Sequence, residues 1–134
     1  MGSRPTVLVI DDDADNREGL QHQLEALGVD VVLAADGVQG LRQLQRWNPM
    51  AVLCDLTMPG MGGLEFAVQM RRDPRYRAVL LMAVTGRTSQ SDLMDARRVG
   101  FDGHLLKPVT PEMLEEDVVR RLTRPTASRL DGDA

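Results

Sequence analysis

Aromatic residues are scarce in this chain: 3% of 134 positions, made up of two Phe, one Trp and one Tyr. A core without them must be aliphatic and filled out by the eight Met, and a hydrophobic content of 43% is enough to build one. Cysteine occurs once, which excludes an internal disulfide and a multi-cysteine zinc site. Cys54 stands inside an apolar run, where a lone thiol reads as a small buried hydrophobe. Positive charge is not in excess. A net charge of −4 argues against a general nucleic-acid binder, which would show a basic patch or stripe. No apolar run approaches the roughly 18 residues of a membrane span, and no secretory signal pattern is present. The expectation from these absences is a single soluble, cytoplasmic domain with no membrane insertion. Residues 1–6 formally fit a myristoylation pattern, but Thr6 reads as the start of a strand and Met1-Gly2-Ser3 equally as a cloning remnant.

What is present is organised around residues 51–63. The apolar run from Ala51 ends on Asp55, and a turn containing Pro59, Gly60, Gly62 and Gly63 follows. A short apolar run bounded by turn residues reads as a buried parallel strand. Asp55 then lies at the strand's carboxyl end, where open α/β sheets bind their ligands. A charge beside a buried strand is costly unless it is paired or binds a metal.

The rest of the chain repeats the arrangement. Thr6–Ile10 is a β-branched apolar run ending on Asp11, Asp12 and Asp13. Asp15 is expected to cap the next helix, with Glu18 completing a capping box and Leu20, Leu24 and Leu27 inward; Gly28 stops it. A short strand over Val29–Ala35 follows. A helix over Gly37–Trp47 places Val38, Leu41 and Leu44 inward and ends at Asn48-Pro49. The next helix runs from Leu64 to Arg72 and is stopped by Asp73-Pro74. A strand over Ala78–Val84 runs into Thr85-Gly86. Ser89 with Asp92 starts a helix ending at Val99, closed by Gly100. Gly103–Leu106 is a strand leading into Lys107-Pro108. Thr110-Pro111 opens a last helix carrying Leu114, Val118 and Leu122. Residues 123–134 read as a tail or linker, and residues 1–4 as an extension or tag remnant. Five βα units with short connections predict an α/β fold, a parallel sheet covered on both faces.

In a parallel sheet, Asp11 and Asp12, Asp55, Thr85 and Lys107 all fall on one edge. Crowded carboxylates cannot all stay ionised unless a cation neutralises them. Oxygen ligands with retained waters suit Mg²⁺. Lys107 adds a second positive charge, and the Thr85 hydroxyl can donate to an incoming oxyanion. The set suits phosphoryl transfer to a carboxylate, with Asp55 as nucleophile and Mg²⁺, Lys107 and Thr85 stabilising charge on the equatorial oxygens.

Four stretches carry a family resemblance: Val7–Asp13, Asp55–Gly63, Val84-Thr85-Gly86 and Lys107-Pro108. Over about residues 5 to 122 the chain resembles the receiver domain of two-component response regulators. The resemblance implies a doubly wound, flavodoxin-like (βα)5 sheet of order 2-1-3-4-5. It implies that Asp55 accepts a phosphoryl group from a phosphohistidine of a sensor histidine kinase or phosphotransfer protein. It further implies that Asp12, Asp55 and the Thr57 backbone carbonyl ligate Mg²⁺, with Asp11 acting mainly through water, and that the Lys107-Pro108 bond is cis. Such a domain is a switch, not an enzyme beyond its own phosphorylation and slow dephosphorylation. Its output is binding, through the face of the fourth helix, fifth strand and last helix, which could also pair two copies; the donor is expected at the first helix. The sequence after residue 122 is too short for a DNA-binding output. The Gly100–Val109 stretch looks most like receivers attached to hybrid histidine kinases.

Departures from the family pattern are specific. His104 stands where an aromatic switch residue is usual, three positions before the lysine, and is expected to serve as the switch with Thr85. Gly86 stands where alanine is common, and Gly62 where a polar residue is. Thr57 and Arg87 flank the pocket and would tune phosphoryl lifetime. One alternative is a metal-dependent phosphohydrolase with an aspartate nucleophile; such enzymes want a carboxylate two positions after the nucleophile, and Thr57 stands there. A nucleotide or flavin module would need a Gly-rich phosphate loop after the first strand, where three Asp would repel a phosphate.

Overall fold

The computed structural model describes residues 4–56, 58, 60–86 and 89–123. The readings of Thr57, Pro59, Arg87, the first three residues and the tail after Thr123 fall outside them. The elements are β1 (Thr6–Ile10), α1 (Ala14–Ala26), β2 (Asp30–Ala34), α2 (Gly37–Trp47), β3 (Ala51–Asp55), α3 (Gly63–Arg72), β4 (Leu80–Thr85), α4 (Gln90–Val99) and β5 (Gly103–Leu106). The last helix, α5, joins Pro111–Leu114, a wider π turn over Glu115–Val119, and Arg120–Thr123. All strand pairs are parallel, in the order β2-β1-β3-β4-β5. This is the doubly wound arrangement expected. Among the described residues no helix is long and apolar enough to cross a membrane.

Strand alternation divides the core in two. Leu8, Ile10, Val52, Cys54, Leu81 and Ala83 pack on one face of the sheet with Phe66 and Met70 of α3. Val7, Val9, Leu53, Met82, Val84 and Leu105 pack on the other with Leu20 and Leu24 of α1 and Leu114 and Val118 of α5. β3 is buried at every position, as the apolar run required. Three methionines serve as packing: Met58 and Met82 are buried and Met61 lies against the core.

Three local expectations change. The cap of α1 is Asp13, not Asp15: its carboxylate accepts from the Asp15 and Asn16 amides at 2.9 and 3.4 Å. The helix starts as soon as the chain leaves the acidic edge, so Asp15 falls in the first turn, where the helix dipole favours it. Val38 is 46% exposed rather than inward. The buried residues of α2 are Gly37, against Met61, with Gly40 and Leu44. A Cβ on Gly40 would sit 2.5 Å from Ile10 Cδ1 and 3.1 Å from Phe66 Cε1, so the backbone approaches the sheet closely at Gly40. β4 begins at Leu80, not Ala78, because a 3₁₀ turn over Pro74–Tyr76 precedes it and the Arg71 guanidinium binds the carbonyls of Tyr76, Arg77 and Val79.

Candidate functional site

The strand register builds the site. Ile10 pairs with Cys54, so the next residues, Asp11 and Asp55, leave the sheet side by side. Asp55 pairs with Val84, which puts Thr85 one step further on, and Thr85 pairs with Leu106, the residue before Lys107. The Lys107 amide donates to the Thr85 carbonyl at 2.9 Å, and the Lys107-Pro108 bond is cis, as expected. Asp11, Asp12, Asp55, Thr85 and Lys107 therefore come together at the carboxyl edge.

Lys107 Nζ lies 3.3 Å from Asp55 Oδ2 and 3.7 Å from Asp11 Oδ2. Asp11, Asp55 and Thr85 are buried, while Asp12 is exposed. One carboxylate oxygen from each of Asp11, Asp12 and Asp55 lies within 4.8 Å of the others. Asp11 Oδ1 accepts the Asp13 amide at 2.9 Å. Asp11 Oδ2 is buried and has no hydrogen-bond donor among the described residues. Burial is the main cause that pushes the Asp11 carboxyl above its ordinary value of 3.8; the Asp13 amide opposes it, and the charge of Asp55 adds to it. An all-oxygen set of three carboxylates, one with a buried oxygen that accepts no hydrogen bond among the described residues, fits a hard divalent cation such as Mg²⁺.

The turn after Asp55 is tight. A Cβ on Gly63 would run into the Asp55 carbonyl and the Leu56 Cα, so only glycine permits this close return of the chain. Cys54 is fully buried, and its thiol points 3.4 Å from the Asp55 carbonyl oxygen. Burial, with the charges of Asp55 and Asp11, drives that thiol's pKa upward, so it is inert.

His104 is not part of the cluster. It is exposed on β5 and lines a groove of about 240 Å³ with Leu93, Met94, Arg97 and Phe101. Met94 and Leu106, 56% and 41% exposed, lie on α4 and β5. Gly86 has open space where a Cβ would stand. Sequence reasoning missed Arg17, whose Nη1 donates to the Asp11 carbonyl at 2.7 Å. A helical arginine carries no signal of its own for this; the contact exists only because α1 folds back over the end of β1.

The family pattern described as the response regulator receiver domain matches residues 7–119. The chain is 33% identical over 129 residues to the sensor histidine kinase CheAY of Helicobacter pylori, covering 95% of this chain but only 15% of that protein. Among solved structures, the chemotaxis protein CheY4 of Vibrio cholerae superposes with a TM-score of 0.84 at 31% identity, covering 88% of this chain and 98% of that one. The receiver domain of the sensor histidine kinase PA1611 of Pseudomonas aeruginosa, solved with a magnesium ion coordinated in its active-site cleft, superposes with a TM-score of 0.81 at 27% identity, covering 89% and 97%. Fold, family pattern and edge geometry agree: the chain belongs to the receiver domains of two-component response regulators.

Proposed function

We propose that this domain, spanning residues 5–122, is a phosphorylation-dependent switch in which Asp55 accepts a phosphoryl group from a phosphohistidine. The observation that carries the reading is the Asp55 carboxylate, set 3.3 Å from Lys107 Nζ and within 4.8 Å of the Asp11 and Asp12 oxygens at the carboxyl edge of the sheet. An Asp55 oxygen bonds to phosphorus, the P–N bond breaks, and its electron pair stays on the imidazole, which takes up a proton. Lys107 meets the charge gathering on the phosphoryl oxygens, and the Thr85 hydroxyl donates to one of them. Asp11, Asp12, Asp55 and the Thr57 carbonyl would hold Mg²⁺. That ion supplies charge neutralisation for the transferred group.

The output follows from charge. A phosphoryl group on Asp55 draws Thr85 inward, and β5 with His104 responds on the exposed face. That face, formed by α4, β5 and α5, binds the output partner or a second copy of the chain. A decisive shift requires the partner to prefer one state by a few kcal/mol. The donor is a cytoplasmic sensor histidine kinase or phosphotransfer protein docking at α1. The chain serves either as a stand-alone regulator or as the receiver of a hybrid kinase.

The test is intact mass after incubation with acetyl phosphate, with and without Mg²⁺, on the native chain and on Asp55→Asn. One added phosphoryl group is expected only with Mg²⁺ and only on the native chain. An adduct of equal yield on Asp55→Asn would overturn the assignment.

A further inference from the structure

The three carboxylates of the edge cluster are not held alike. Asp11 Oδ1 accepts the Asp13 amide at 2.9 Å, and Asp11 Oδ2 lies 3.7 Å from Lys107 Nζ. Asp55 Oδ2 lies 3.3 Å from the same nitrogen. Asp12 is exposed, and among the described residues no group is bonded to its carboxylate. Where that carboxylate stands is therefore set by the backbone on either side of it.

Arg17 of α1 holds that backbone twice. Its amide donates to the Asp13 carbonyl at 3.0 Å, and its Nη1 donates to the Asp11 carbonyl at 2.7 Å. The first bond is one that any residue but proline would make at this helical position. The second needs a long side-chain donor. It fixes the plane of the Asp11–Asp12 peptide, from which the Asp12 side chain projects. A charged donor makes such a bond stronger than a neutral one. The same charge works against a cation site, because a guanidinium near the carboxylates repels the divalent ion they would bind. Position and charge thus act in opposite directions on metal affinity, and a substitution separates them.

We infer that Arg17 is a positioning residue for the divalent-cation site: by gripping the Asp11 carbonyl it sets where the Asp12 carboxylate stands. The inference deepens the reading that Asp11, Asp12 and Asp55 hold Mg²⁺, and it rests on that reading. A ligand fixed in advance loses less freedom when the ion binds. Groups outside the ligand set that orient a ligand commonly change metal affinity by about ten-fold or more.

The experiment measures the affinity of the native chain, Arg17→Met and Arg17→Lys for Mn²⁺, from the loss of the free-ion signal in electron paramagnetic resonance. Mn²⁺ takes the same carboxylate and carbonyl oxygens as Mg²⁺. Arg17→Met keeps an unbranched stem and removes both the charge and the donor, whereas Arg17→Lys keeps the charge and one donor. The Kd is expected to rise about ten-fold for Arg17→Met and about three-fold for Arg17→Lys. Acetyl phosphate labelling titrated with Mg²⁺ gives a second readout, in which the loss lies in the half-saturating Mg²⁺ concentration rather than in the rate at saturation. Thermal melts in EDTA establish that each variant is folded, and Arg17→Lys carries the test if Arg17→Met is not. Unchanged or tighter Mn²⁺ binding by the folded variants overturns the positioning role, since loss of charge alone predicts that sign, and leaves the cation reading intact. A native chain that binds Mn²⁺ no better than Asp12→Asn overturns the cation reading, and the role of Arg17 with it.

Discussion

Replacing Arg71 by Ala should remove the most connected side chain of the structure's far edge. Its Nε donates to the Gly100 carbonyl at 3.1 Å. Its Nη1 donates to the carbonyls of Tyr76, Arg77 and Val79 at 2.7, 3.2 and 3.0 Å, and its Nη2 to Asp102 Oδ2 at 3.0 Å. The same Asp102 oxygen accepts the Leu81 amide at 2.8 Å. One guanidinium thus joins the end of α3, the 3₁₀ turn, the start of β4 and the turn from α4 into β5. The bonds to Gly100, Tyr76 and Val79 are partly buried and contribute about 1 kcal/mol each. The bond to Arg77 and the pair with Asp102, whose side chain is 43% exposed, add little. The expected loss is about 3 kcal/mol, or about 10 °C in melting temperature for a domain of this size. Urea unfolding followed by circular dichroism at 222 nm measures it, with the slope unchanged. Arg71→Lys should recover less than half, because a compact ammonium cannot reach carbonyls on several sides at once. A loss under about 1 kcal/mol for Arg71→Ala would refute the reasoning.

Three further outcomes are expected. In EDTA, the raised Asp11 carboxyl makes a contribution to stability that is full below pH 3.8 and is lost as pH rises through the folded pKa; the stability of Asp11→Asn relative to native should therefore grow between pH 4 and 7, and a flat difference in urea melts refutes this. The Tyr76 hydroxyl is buried with no hydrogen-bond partner among the described residues, so Tyr76→Phe should raise stability by about 1 kcal/mol, read by thermal melting. Gly63→Ala should destabilise by about 3 kcal/mol and slow acetyl phosphate labelling, because the new methyl pushes against the Asp55 carbonyl and the Leu56 Cα; normal labelling by a stable variant would contradict the tight-turn argument.

The parallel sheet was legible in the sequence because its signals are local. Apolar runs of five or six residues, each ending on a polar group and a turn, specify strands whatever their neighbours do. Asp11, Asp55, Thr85 and Lys107 could be placed on one edge for the same reason, since strand direction alone sends every carboxyl end to the same side. The helix stops were equally local: Gly28 and Gly100 take positive φ at the ends of α1 and α4. Asp13 was misjudged because four acidic residues within five positions offer competing caps, and only the length of the turn after β1 selects one.

What required the tertiary structure is whatever depends on two segments meeting. Val38 carries a helical pattern that points inward, yet α2 turns Gly40 inward, close against Ile10 and Phe66. Arg71 and Asp102 stand 31 positions apart, and nothing near either announces the other. Sequence periodicity reports the environment each residue seeks, by burial and by backbone preference. Which neighbour supplies that environment, and how closely it approaches, is set only when the elements pack against one another.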